Sequence, residues 1–115
     1  MRALVLGGTG AVGSATVKAL HEAGLDVRFT GQGDLHVDFR EPDWTDVLRG
    51  LEVDALVHCA VSVDHPWPVN FHSVAHAADL LTPDVIVACT ALLPSQGLPL
   101  APDFAASWGA LNAWI

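Results

Sequence analysis

The segment GGTGAVG, residues 7–13, has a spacing suited to holding a phosphate. Gly7, Gly10 and Gly13 recur every third residue between a short apolar run, ALVL at 3–6, and a stretch of helical periodicity. In such a turn the first glycine permits a tight bend, the second leaves room for a diphosphate to approach the backbone, and the third lets helix and strand pack closely. The first amides of a helix have no acceptor within it and lie at the positive end of its dipole. The predicted chemistry is therefore anion binding by the backbone of Gly7, Thr9, Gly10, Ala11, Val12 and Gly13. A βα turn that binds nothing has the same spacing, but the correct element on each side favours a nucleotide.

The elements that must position this turn can be read along the chain. ALVL is an unbroken apolar run, as expected of a buried parallel strand. Val12, Ala15, Thr16, Ala19, Leu20 and Ala23 then follow a helical period, with Gly24 as the C-terminal stop. DVRFT (26–30) and HVDF (36–39) predict a second and a third strand. Pro42 opens a second helix carrying Trp44, Val47, Leu48 and Leu51 on one face. VDALVHCAV (53–61) predicts a fourth strand, residues 69–81 a helix ended by Pro83, and DVIVACT (84–90) a fifth strand. Prolines 94, 99 and 102 lead into a closing helix. Alternating strands and helices predict an α/β fold: a Rossmann-like, doubly wound parallel sheet of about five strands with helices on both faces.

Composition narrows the partners. With 115 residues, 51% hydrophobic and 16% charged, the expectation is one domain over residues 1–115 with a well-packed core. A net charge of −8 and five scattered Lys and Arg residues argue against nucleic acid and anionic membrane surfaces. The first apolar run is too short for a signal peptide or a spanning helix, so a cytoplasmic location is expected. Cys59 and Cys89 lie in apolar stretches and are expected to be buried free thiols.

LVLGGTGAVGSA resembles the N-terminal cofactor turn of the short-chain dehydrogenase/reductase family. The resemblance continues along almost the whole chain, with gaps. It implies that Asp38 in HVDF reaches the adenine, and that Cys59, Ala60 and Val61 stand where the family has its NAG segment. Asn70 matches the Asn of the following helix, in a helix-kinking or water-holding place, and ACTA matches the ISS of the fifth strand.

Aligning FAASWGALNAW on the family's Y-x-x-x-K signature puts Phe104 at the Tyr position and Trp108 at the Lys position. Thirteen residues upstream, Ala91 occupies the Ser position. In the family the Tyr transfers the substrate proton, the Lys lowers its pKa and holds the nicotinamide ribose, and the Ser fixes the carbonyl. Phe carries no transferable proton, an indole supplies no charge, and the chain contains no Tyr. Thr90 and Asn70 are the remaining weak catalytic candidates. Trp108 is expected to fill the nicotinamide end of the pocket. Asn70 comes only eleven positions after Cys59, an interval in which the family places a further helix.

The implied cofactor is NAD or NADP. The turn after the second strand, FTGQGD, offers Thr30 and Gln32 as neutral ribose partners and Asp34 as a late acid, which slightly favours NAD. Among six histidines, His72 and His76 lie one helical turn apart near Asp79, with His58 or Cys59 at a strand end. No H-E-x-x-H or C-x-x-C pattern supports them, so no metal is expected. The resemblance implies a homodimer through residues 69–81 and 104–115, and Trp108, Trp114 and Ile115 are expected to be exposed there. Three functions remain open: a dinucleotide-binding module with impaired catalysis, an active oxidoreductase using Thr90, His58 or His72 as its acid, and a structural or interaction protein with a relic turn.

Overall fold

The computed structural model describes residues 1–89 and 102–115. Four parallel strands form one sheet in the order β2-β1-β3-β4: β1 (Arg2–Leu6), β2 (Asp26–Phe29), β3 (Ala55–His58) and β4 (Val85–Ala88). Helix α1 (Ala11–Glu22) joins β1 to β2, and α2 (Ser73–Leu81) leads into β4. Helix α3 (Pro102–Trp114) closes the chain. The architecture is Rossmann-like, as the alternating pattern predicts, with one strand fewer than expected among the described residues.

The missing strand is HVDF. After β2 the backbone doubles back: Leu35 N–H donates to Phe29 O at 3.0 Å and Gly31 N–H to Leu35 O at 2.8 Å, leaving a single bridge between Thr30 and Leu35. Val37 and Phe39 then turn inward to pack against the core while His36 is exposed. The alternation in HVDF thus records which side chains face inward, without a ladder of backbone bonds. The helix expected from Pro42 shrinks to a 3₁₀ segment, Trp44–Leu48, whose two ends are buried. Gly50, at φ +82°, turns the chain away before a second helical turn can form.

The two faces of the sheet are covered differently. Leu4, Leu6 and Leu56 pack with Trp44, Leu48, Val74, Ala77, Trp108 and Leu111 into one core. On the opposite face α1 packs against β1 and β2, and Val5 is fully buried. No described helix covers β4 on that side, and Val85 and Val87 are 49% and 50% exposed. This is where the short interval between Cys59 and Asn70 shows: it holds a loop and a single turn of π-helix, Trp67–His72, which runs directly into α2.

Trp108 corrects an expectation. It is 3% exposed and lies in the core, edge-on to Phe104 with ring centroids 6.0 Å apart. The 104, 107, 108 and 111 face of α3 is turned inward, so of the three large apolar residues expected at the surface here Trp114 (39%) and Ile115 (65%) are exposed and Trp108 is not. The cysteines correct another. Both are free thiols, but Cys89 is exposed and Cys59 half-buried, because among the described residues no helix covers that side of β4.

Candidate functional site

The chain runs from β1 to β2 on one side and then crosses to β3 on the other, so the loops leaving β1 and β3 diverge and open a crevice at the carboxyl ends of the strands. In open α/β sheets this switch point is where ligands sit. A cleft of about 320 Å³ occupies it, walled by the glycine turn, by Thr30 and Gly31 after β2, by Val37 and Phe39, and by Cys59, Ala60, Val61 and Val69. Among the described residues that line it, none is charged.

The glycines of the turn have different reasons for being glycine. Gly7 has φ +81°, and a Cβ there would lie 2.6 Å from Ala60 Cα, so β1 and β3 can approach only because Gly7 lacks a side chain. A Cβ at Gly8 would meet Phe29 at 2.5 Å, and one at Gly13 would meet Gly7 O at 1.8 Å. Gly10 is unlike these. Its φ is −72°, and a Cβ would meet nothing nearer than Gly7 O at 4.0 Å. The fold does not demand a glycine at position 10, which faces the open cleft.

Gly10 also begins α1 and caps it without a side chain. The first helical bond is Ser14 N–H to Gly10 O at 2.8 Å, so the amides of Ala11, Val12 and Gly13 precede the ladder. Gly7 and Gly8 are already committed: their N–H groups donate to Thr30 Oγ1 and Thr30 O, both at 2.9 Å. Thr30 is 3% exposed and fastens the turn to the end of β2. The hydroxyl oxygen that looked like a ribose partner is a structural acceptor.

Of the residues singled out from the sequence, Gly7, Thr9, Gly10, Thr30, Cys59, Ala60 and Val61 line the cleft. Ala11, Val12 and Gly13 form the start of α1 beside it. Gln32 lies outside the lining, between Gly31 and Gly33. Asp38 sits between two lining residues but itself lines a separate depression with His36 and Glu41. The Arg40 guanidinium, at 2.7 to 3.2 Å, holds the Asp38 carboxyl down to about 2, helped by the Arg40 amide at 3.0 Å. Asp34 is engaged as well. It takes two nitrogens of Arg28 at 2.9 to 3.1 Å and the Phe29 amide at 3.0 Å, and the guanidinium lowers its pKa.

Asn70 is buried in the π-helical turn, where its side chain ties three segments together. Its Oδ1 accepts Ser62 N–H at 2.8 Å, and its Nδ2 donates to Ser62 O and Ser107 Oγ, both at 3.1 Å. Its main-chain carbonyl accepts His58 Nε2–H at 2.9 Å. Burial pushes the His58 pKa down to about 4, against the opposing pull of that carbonyl, and among the described residues Nδ1 has no partner. Asn70 thus fixes the loop that follows Val61 to α3. Burial likewise pushes the Cys59 thiol up to about 11.

Thr90 and Ala91 lie outside the described residues. Phe104 and Trp108 face the core on α3, and Trp108 is not among the cleft-lining residues, so it does not fill the cleft as its size suggested. His72 and His76 stack with centroids 5.7 Å apart, while His58 is bound to Asn70; among the described residues no three metal-donor side chains come together. The lining residues missed in the sequence are Gly31, Val37, Phe39 and Val69. For Val37 and Phe39 the signal was present in the alternation of HVDF, and Trp44 packs edge-on against Phe39 at 4.9 Å to hold that wall.

Residues 3–94 match the model of the NAD dependent epimerase/dehydratase family. No curated protein sequence matches the chain significantly. Among solved structures, the fold is similar to a UDP-galactose 4-epimerase (20% identity, TM-score 0.75), covering 99% of this chain and 50% of that one. It is similar to the Pseudomonas aeruginosa RhlG/NADP active-site complex (18%, TM-score 0.82), covering 98% and 62%. It is also similar to a short-chain dehydrogenase/reductase superfamily protein from Agrobacterium tumefaciens with bound NAD (21%, TM-score 0.69), covering 98% and 43%. The chain thus spans roughly half of the lengths of these structures, and at such identities the likeness establishes the fold.

Proposed function

The chain belongs to the NAD dependent epimerase/dehydratase family, and from that premise we propose that residues 1–115 act as a single dinucleotide-binding unit whose hydride-transfer chemistry is impaired. The observation that carries the binding half is Gly10. Every other glycine of the turn is required by packing, whereas the place of a Gly10 side chain is empty and opens on the cleft beside three amides that precede the helical ladder. A diphosphate accounts for that space, and the helix start supplies partial positive charge where no charged side chain does. The lining residues fit such a group, with Gly7, Thr9 and Gly10 beside Ala11, Val12 and Gly13 at the diphosphate and Cys59 and Ala60 along the opposite wall, while Gln32 and Asp38, just outside the lining, would reach in toward the adenosine.

When bound, the cofactor would supply hydride exchange. This chain's own residues orient it by backbone amides and keep charge out of the cleft. NAD is favoured over NADP, because Arg28 and Arg40 are already paired with Asp34 and Asp38. The impaired half rests on Phe104 and Trp108, which bring neither a proton nor a cation and are turned into the core. Asn70 is bound on three sides and acts here as a brace, and Thr90 is left as the acid for any residual activity.

We further propose a cytoplasmic homodimer through residues 69–81 and 104–115. The exposed Trp114 and Ile115, with Phe71 edge-on to Trp114 at 6.4 Å, give that face its apolar surface. Calorimetric titration with NAD, NADH, NADP and NADPH tests the binding half, and a carbonyl-substrate screen following reduced-cofactor absorbance tests the impaired half. Brisk turnover that survives Thr90→Val would overturn the latter.

A further inference from the structure

Two thiols stand together on the sheet face that α1 covers only in part. Cys59 directly follows β3 and Cys89 directly follows β4, and the register pairing His58 with Ala88 places them side by side one step further on. Both backbones are still tied to the sheet there, with Cys89 N–H on His58 O and Cys59 N–H on Leu6 O, each at 2.8 Å. Their Sγ atoms are 3.7 Å apart, in van der Waals contact. Adjacent strands sit about 4.8 Å apart, which is inside the Cα range a disulfide spans.

The two thiols are not equivalent. Cys89 is exposed, whereas Cys59 is half-buried, with its S–H directed to Thr16 Oγ1 of α1 at 3.8 Å. Cys59 is also part of the cleft wall, next to Ala60, whose backbone lies against Gly7. A change at the Cys59 sulfur is therefore a change at the cleft.

We propose that Cys59 and Cys89 form a reversible intramolecular disulfide by exchange with a small-molecule disulfide, and that the bond alters the cleft wall. The exposed Cys89 thiolate attacks one sulfur of the oxidant and expels a thiolate, leaving Cys89 in a mixed disulfide. Cys59 then gives up its proton and attacks Cys89 Sγ, expelling the second thiolate. The two protons lost by the cysteines end on the two expelled thiolates, so the protein is oxidised by two electrons and the small disulfide is reduced to two thiols. To make the bond Cys59 Sγ must swing toward β4 and leave Thr16, withdrawing one contact from the cleft. Formation of the bond follows from the sulfur geometry alone, whereas its effect on the cleft rests on the dinucleotide reading above.

The test uses the full chain, reduced and then treated with excess oxidised glutathione, followed by an acid quench and intact-mass measurement. The expected product is a single chain lighter by two hydrogens, restored by dithiothreitol. The Cys59→Ser variant should instead keep one glutathione adduct, since its exposed Cys89 has no neighbour to displace it. A persistent adduct on the unaltered chain, or disulfide-linked dimers in place of the internal bond, would overturn the proposal. Titration with NAD should show the oxidised form binding roughly three- to tenfold more weakly than the reduced form, equivalent to losing one modest contact. Equal affinities overturn the effect on the cleft. Absence of binding in both forms overturns the dinucleotide reading together with that effect, while the mass measurement still decides the bond.

Discussion

Replacing Gly10 by Ala separates a glycine kept for a ligand from glycines kept for the fold. The added methyl would lie 4.0 Å from its nearest protein neighbour, at φ −72° and ψ 174°, a conformation open to alanine. Alanine is a poorer N-cap than glycine, at a cost of up to about 1 kcal/mol, but it restricts the unfolded chain and recovers about 0.4–1 kcal/mol. The net change in stability should stay within about 1 kcal/mol, a Tm shift of less than roughly 5 °C. Binding should change far more. The methyl stands between the incoming diphosphate and the helix amides, and a hydrogen bond to a charged group contributes about 1.5–3 kcal/mol. Losing one or two of them weakens affinity about a hundredfold. Gly13→Ala is the control, because its methyl would overlap Gly7 O at 1.8 Å and should destabilise the fold by about 3 kcal/mol or more. Thermal denaturation and calorimetric titration with NAD read the two quantities separately. If Gly10→Ala binds NAD as tightly as the unaltered chain, or unfolds as readily as Gly13→Ala, the reasoning about that space is wrong.

Four further outcomes follow from three buried residues. Asn70→Ala removes the partners of Ser62 N–H, Ser62 O and Ser107 Oγ, and urea denaturation should show a loss of about 3 kcal/mol. His58, pushed from 6.5 down to about 4 in the folded chain, stays neutral where the unfolded chain has already taken up a proton. Its stabilising effect is complete above pH 6.5 and falls away toward pH 4 by up to about 3 kcal/mol, so His58→Gln should flatten stability against pH across that window. Trp108→Ala should cost about 3–5 kcal/mol by opening the core. Trp108→Lys should unfold the chain without creating reductase activity, and a soluble, active Trp108→Lys protein would show that the residue faces the cleft.

The glycine turn, β1 and α1 were legible because their signals are local: a change of period and a motif placed between two elements. HVDF was read as a strand because alternation reports burial and says nothing about backbone pairing, which the fold-back at Leu35 prevents. The second helix was read too long because four apolar residues suggested a full face, while Gly50 at φ +82° limits the segment to Trp44–Leu48. Trp108 was placed in the pocket from its alignment position, and only the packing of α3 shows that the 104, 108 and 111 face is turned inward. The neutral cleft was hidden for a related reason. The partners of Asp34 and Asp38 are nearby Arg28 and Arg40, and a sequence does not show that such neighbours have already satisfied each other's charge.

The most direct test of the account is calorimetric titration of the unaltered, reduced protein with NAD and NADH. It predicts saturable binding with one site per chain, strongly weakened in Gly10→Ala. A flat titration with both forms of the cofactor, and with NADP and NADPH as well, would contradict it.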